Sequence, residues 1–146
     1  MDITDYVSIA EVQRICQELG IRDWTKLTDT EVQPEEARII QETVGAEALE
    51  IPIAWFQQGL EVELEHGMQF KDANVTNNHP LLTGLIVLAH FKESLDYYRL
   101  LEVAELEGDL LKAVMRGQSR RIKDYYTKLA RARIALRRAE LDRLTD

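Results

Sequence analysis

Glu63 and His66 stand one helical turn apart in Gly59-Leu60-Glu61-Val62-Glu63-Leu64-Glu65-His66-Gly67, and His90 and Glu93 repeat the pair in reverse order further along the chain. A carboxylate and an imidazole at i and i+3 share one face of a helix, which is how helical bundles present oxygen and nitrogen donors to a metal. On facing helices, Glu63, His66, His90 and Glu93 would make a divalent-metal site, with iron or zinc as the ions this donor set suits. A full di-iron set asks for two E-x-x-H motifs and two further glutamates, whereas this chain carries one motif in each direction. Two readings without metal stand beside it. The four side chains can form a buried polar network, His66 favoured by the dipole at its helix end and Glu63 paired with His90, a C-terminal arginine or a tyrosine hydroxyl. Alternatively, a Glu/His pair can exchange protons as acid and base.

Positioning these residues is a matter of helices. Ser8 and Gly20 bracket a first helix through Val12, Ile15, Cys16 and Leu19. Cys16 falls on its apolar face and reads as a small core residue. A second helix runs from Pro34 to Gly45, with Trp24, Leu27 and Val32 anchoring the connection. Pro52 opens a third, which ends at Gly67 and carries Glu63 and His66, with Glu61 and Glu65 turned to water. The asparagine-rich stretch 71–78 is a loop, and His79 beside Pro80 reads as a solvated first-turn residue. Leu81 to Phe91, apolar nearly all round, predicts a buried central helix. His90 lies about 15 Å along that helix from its start at 1.5 Å per residue. Levelling it with His66 therefore requires a climbing loop or a dimer. Ser94-Leu95-Asp96 marks a break and a fresh cap, followed by a short helix from Tyr97 to Gly108. A long basic helix, 109–144, comes last, with an interruption at Gly117. The motif D-Y-Y-x-x-L occurs at Asp96 and again at Asp124, as coincidence or as a shared packing device.

Charge is divided unevenly. Residues 112–146 hold eleven Lys and Arg against four Asp and Glu, a local charge of +7 in a chain of net charge −8. Within that segment Ile122, Tyr125, Leu129, Ala132, Leu136 and Ala139 alternate at spacings of three and four, a seam for another helix. The seam predicts docking on the acidic body or on the twin helix of a homodimer, or a helical protein partner. Arg131, Arg133, Arg137 and Arg138 are the partner-binding candidates, and nucleic-acid binding through them would be directed at the backbone and sensitive to salt.

Phe56, Gly59-Leu60, Glu63-Leu64-Glu65-His66-Gly67, Asn74-Val75-Thr76-Asn77, Thr83-Gly84, Ala89-His90, Glu93 and Asp96-Tyr97-Tyr98 together resemble a family of short bacterial, archaeal and phage-encoded proteins of unknown function. The resemblance covers roughly residues 52–107, with a weaker echo at Glu18-Leu19-Gly20-Ile21. It implies no activity. Residues 28–50 and the basic segment after Gly108 look like additions to the pattern.

Chain length bounds the rest. At 146 residues the expectation is one all-α domain, a small bundle of five to six helices. Its parts are an N-terminal helical pair (1–50), a family-like core (51–108) and the basic C-terminal helix (109–146). A single cysteine, no basic-then-apolar leader and no apolar run of about 20 residues predict a cytoplasmic protein without a membrane span. Neither a nucleophile elbow, nor a phosphate-cradling glycine loop, nor a C-x-x-C knuckle is present. The function expected is that of a helical interaction or structural module, with metal binding and nucleic-acid or acidic-partner binding as alternatives.

Overall fold

The computed structural model describes residues 7–145. Among them are seven α-helices, two short 3-10 turns and no strand, so the all-α expectation is met with one helix more than the count read from sequence. The chain divides into two compact units, one reaching Lys92 and the other starting at Glu93.

In the first unit, α1 (Ile9–Leu19) starts where Ser8 Oγ accepts from the Glu11 amide at 3.1 Å. It stops at Gly20, whose φ of 68° closes the helix with the Ile21 amide on the Cys16 carbonyl. A 3-10 turn (Trp24–Lys26) follows. Pro34 opens α2 (Pro34–Val44), which Gly45 ends at a φ of 125°. The additional helix is α3 (Ala46–Leu49), a single turn. Gln41, buried on α2, makes that turn worth forming, because its Nε2 donates to the Ala48 and Ile51 carbonyls at 2.8 Å each.

Helix α4 (Ile53–Gln69) runs two residues past Gly67. Its stripe of Phe56, Leu60 and Leu64 is wholly buried, each side chain contributing about 1.5–3 kcal/mol by leaving water. The opposite edge clamps the chain before α2: Glu61 accepts from the Val32 amide at 3.2 Å and Gln57 donates to the Val32 carbonyl at 2.7 Å. Glu61 thus serves the backbone and is not simply a solvated acid. After a second 3-10 turn (Lys71–Ala73) comes α5 (Pro80–Glu93). Only one side of α5 is buried, through Thr83, Gly84, Val87, Leu88 and Phe91, whereas Leu85 is 48% exposed. Its uniformly apolar composition therefore overstates its burial. Gly84 lets α5 approach α2 closely: a Cβ there would lie 2.8 Å from methyls of both Ile40 and Val44.

The second unit is a helical hairpin, α6 (Tyr97–Met115) against α7 (Ser119–Thr145). Helix α6 passes straight through Gly108, which was expected to end it. The chain turns instead at Gly117, in the left-handed region at φ 63°. Leu129, Ala132 and Leu136 are buried, so the seam read from sequence is taken by α6 of the same chain. The two D-Y-Y motifs share no packing role. Asp96 and Tyr98 are buried, while Asp124 and Tyr126 are exposed.

Candidate functional site

Helices α4 and α5 bring Glu63 to His90, with the imidazole Nε2 3.4 Å from the carboxylate Oε1. The two side chains are 16% and 27% exposed, so the pair is half-buried and keeps part of its hydration. His66 and Glu93, the remaining members of the proposed quartet, are both exposed. Among the described residues no group of three or more His, Cys, Asp or Glu side chains is arranged to hold a metal ion.

What adjoins Glu63 is a cavity of about 240 Å³ among α4, the following loop and α5. It is lined by Glu63, His66, Gly67, Phe70, Ala73, Asn74, Val75, Thr76, Asn78, Thr83 and Ile86. The loop is seated on α4 by asparagines: Asn74 Nδ2 donates to the Gly67 carbonyl at 3.1 Å and to Asn78 Oδ1 at 2.8 Å. A Cβ at Gly67 would stand 2.3 Å from Asn78 Oδ1, so a larger residue there would have to displace the Asn78 side chain. Asn77 and Asn78 both adopt left-handed backbone, at φ 47° and 59°, which asparagine tolerates better than most residues. Asn77 also donates to the Val7 carbonyl at 2.6 Å, tying the loop to the start of α1. A second cavity, about 570 Å³, shares Gly67, Asn74 and Asn78 with the first. Sequence reading singled out Glu63 and His66 but took the asparagines as turn formers. The signal that could have found them is Gly67, followed by four asparagine and threonine residues within 74–78.

His79 departs from expectation. It is buried, its Nδ1 accepts from the Leu82 amide at 3.4 Å, and its carbonyl receives the Thr83 hydroxyl at 3.0 Å. Burial pushes the imidazole below its ordinary pKa, which keeps it neutral. It is a structural residue at the head of α5.

The arginine candidates all lie on exposed positions of α7. Arg133 holds Glu107 of α6 at 2.6 Å, and Arg137 holds Glu140 at 2.6 Å. Arg131 and Arg138 pair with no carboxylate among the described residues. Ile134 and Leu141 lie between them, 52% and 59% exposed, and with Arg133, Arg137 and Arg138 they line a shallow groove of about 320 Å³. Another arginine has a role that sequence reading missed: Arg143 near the end of α7 pairs with Asp96 at the start of α6. Asp96 is also bonded by Arg99 at 2.9 Å.

None of the described residues forms a helix long and apolar enough to cross a membrane. Neither the curated proteins nor the solved structures contain a match to this chain. A family model does match, and it takes in α1 to α5, the cavity and the first half of α6, including residues 28–50, which had looked like additions. Since that match spans residues 12–107, well over half of the sequence, the chain belongs to the family described as Protein of unknown function (DUF5661).

Proposed function

We propose that this protein is a helical interaction module whose α7 receives an acidic amphipathic helix of a partner protein. One observation carries the reading: with its seam spent on α6, α7 still presents a second apolar stripe. Tyr126, Ile134, Leu141 and Leu144 are 52–83% exposed, and with Ala130 they recur at helical spacing along one side. At 100° per residue, Arg133 flanks one edge of that stripe, Arg131 and Arg138 flank the other, and Arg137 falls within it. Asp124, Glu140 and Asp142 all fall outside it. An apolar centre flanked by Arg131, Arg133 and Arg138 suits a helix with apolar anchors and acidic flanks. A second copy of α7 fits less well, because antiparallel pairing would bring arginine rims together on both edges.

The test uses a labelled designed helix with leucine at the a and d positions and glutamate at e and g, titrated with the full chain by fluorescence anisotropy. Binding should weaken with salt, fall at least tenfold in Ile134→Ser/Leu141→Ser, and lose part of its salt slope in Arg131→Ala/Arg138→Ala. Unchanged binding in both variants would refute the reading. A 20-base-pair duplex bound in preference to the peptide would move it to nucleic acid, and a sedimentation dimer abolished by the serine variant would move it to self-association.

A further inference from the structure

We infer that α6 pairs, antiparallel, with α6 of a second copy of this chain, through the face it turns away from α7. The surface lies on a different helix from the apolar stripe of α7 and does not depend on it.

Composition singles the face out. Leu100, Leu101, Ala104, Gly108, Leu111 and Met115 follow one another along α6 at spacings of one, three and four. At 100° per residue they share one arc of about 100°, and no Asp, Glu, Lys or Arg of the helix falls inside it. Tyr98 and Ala113, the residues that α6 buries, lie outside that arc. Leu100, Leu111 and Met115 are 46%, 60% and 78% exposed. A contiguous exposed apolar stripe of this kind marks a contact surface.

Gly108 is a second, independent observation. It lies inside α6, where glycine is the least favourable residue after proline. Its φ is not positive, and a Cβ added there would meet no atom within 4 Å. Nothing within the chain therefore asks for a glycine at this point, whereas a helix packed on the outer face would. Ala104, one turn earlier, is small and exposed as well, so the two residues leave a notch in the stripe.

What fits the notch is carried by the same helix. In an antiparallel pair with its two-fold axis between Gly108 and Asp109, Leu111 of the second copy stands level with residue 106, midway between Ala104 and Gly108. By symmetry, Leu111 of the first copy enters the notch of the second. The same register sets Met115 of each copy beside Leu101 of the other, so large side chains enter the gaps between small ones and the ends close on apolar contacts. Charge also favours a copy of this chain over a charged partner. The flanking residues Glu107 and Lys112 are already held, by Arg133 at 2.6 Å and by Asp109 at 3.1 Å. Neither offers a free charge with which to select an acidic or basic helix, unlike Arg131 and Arg138 on α7.

An interface one helix long, about 28 Å at 1.5 Å per residue, is small, so the dimer should be weak. The experiment is sedimentation equilibrium of the full chain from about 10 to 500 µM. A reversible monomer–dimer equilibrium is expected in the parent. Gly108→Leu fills the notch and Leu111→Gln removes the side chain that enters it, so each should weaken the dimer at least tenfold. Because nothing within the chain lies near Gly108, the leucine variant should keep the parent's circular dichroism; if it does not, Leu111→Gln, at an exposed position, decides. Ile134→Ser/Leu141→Ser on α7 should dimerise like the parent. Raising sodium chloride from about 50 to 500 mM should not weaken the dimer, because its contact face carries no charge. The pairing is overturned if the parent stays monomeric throughout the range, if either folded α6 variant dimerises like the parent, if salt dissociates the dimer, or if the α7 variant abolishes it.

Discussion

Single residues set how this protein responds to acid. Glu36 is buried on α2, and its carboxylate accepts from the Arg22 side chain at 3.0 and 2.7 Å, the Arg22 amide at 3.1 Å and the Gln33 amide at 3.1 Å. Burial alone would push this carboxyl upward, but the bonds from Arg22 and Gln33 together outweigh it, so it titrates below its ordinary value of 4.5. His79 titrates below its ordinary 6.5, chiefly because it is buried. In both cases the unfolded chain takes up the proton at higher pH than the folded one. The stability each residue contributes is therefore complete above its unfolded pKa and is lost as pH falls through the folded value. The midpoint of urea unfolding should accordingly decline in two steps, the first starting near pH 6.5 and the second near pH 4.5. His79→Gln should flatten the first step. Glu36→Gln should flatten the second and cost about 2–3 kcal/mol at neutral pH, through bonds to a charged acceptor that an amide cannot replace. A midpoint that holds level in the parent between pH 6.5 and 5 would contradict the assignment to His79. Neither role was legible in the sequence. As one of two adjacent acids in the first turn of α2, Glu36 carries no mark of its own in the sequence, and the arginine that pairs with it lies fourteen residues away.

Elements were legible wherever a local rule ended them. Ser8, Gly20, Pro34, Gly45, Pro52 and Pro80 all mark boundaries close to where the structure has them, because capping, proline and left-handed glycine act within a few residues. Gly108 misled, and the reason is energetic. A glycine inside a helix costs only about 1 kcal/mol, which packing of α6 along α7 outweighs, so the helix continues to Met115 and the backbone turns left-handed at Gly117. The Glu63–His90 pairing was partly legible. The spacing put both residues on inward faces, but which imidazole meets the carboxylate depends on how α4 and α5 cross, and no local pattern encodes that. The hairpin clasp at Asp96 was hidden in a different way, since a cap position was expected and the carboxylate faces Arg99 and Arg143 instead. Its side chain is 3% exposed, against 26% and 41% for the two arginines. Deleting the arginines strands a buried charge, whereas neutralising the aspartate leaves cations that can reach water. Arg99→Ala/Arg143→Ala should thus destabilise the hairpin by about 3–5 kcal/mol, and Asp96→Asn by about 1–2 kcal/mol. Chemical denaturation of both variants checks this, and the reverse order of damage would show that the arginines matter for reasons other than the carboxylate they hold.

Across the whole molecule, the unequal division of charge was the feature most plainly written in the sequence, and it acts on the two units differently. Five of the six Lys and Arg in residues 1–92 are already committed: Arg14 to Glu11 and Glu18, Arg22 to Glu36, Lys26 to Asp23, Arg38 to Glu35 and Lys92 to Glu47. Most of these pairs are exposed and contribute little each. The acids in excess of them repel one another through water, and that repulsion is screened within about 10 Å at 0.1 M salt. The second unit has no such excess, with ten acids against twelve bases, and spends several of its arginines on its own carboxylates. Both tryptophans, Trp24 and Trp55, belong to the first unit, so tryptophan fluorescence reports its unfolding alone, while far-ultraviolet circular dichroism reports every helix. Raising sodium chloride from 10 to 150 mM, about 30 and 8 Å of screening length respectively, should raise the fluorescence-detected midpoint. A gain of about 1 kcal/mol would move it by roughly 4–8 °C for a unit of this size. The circular-dichroism transition should shift less, because the hairpin contributes helix without the same self-repulsion. Should salt lower the fluorescence midpoint instead, the six ion pairs would outweigh the repulsion, and the acidic surplus of the first unit would be a property of its solvation with no cost to its stability.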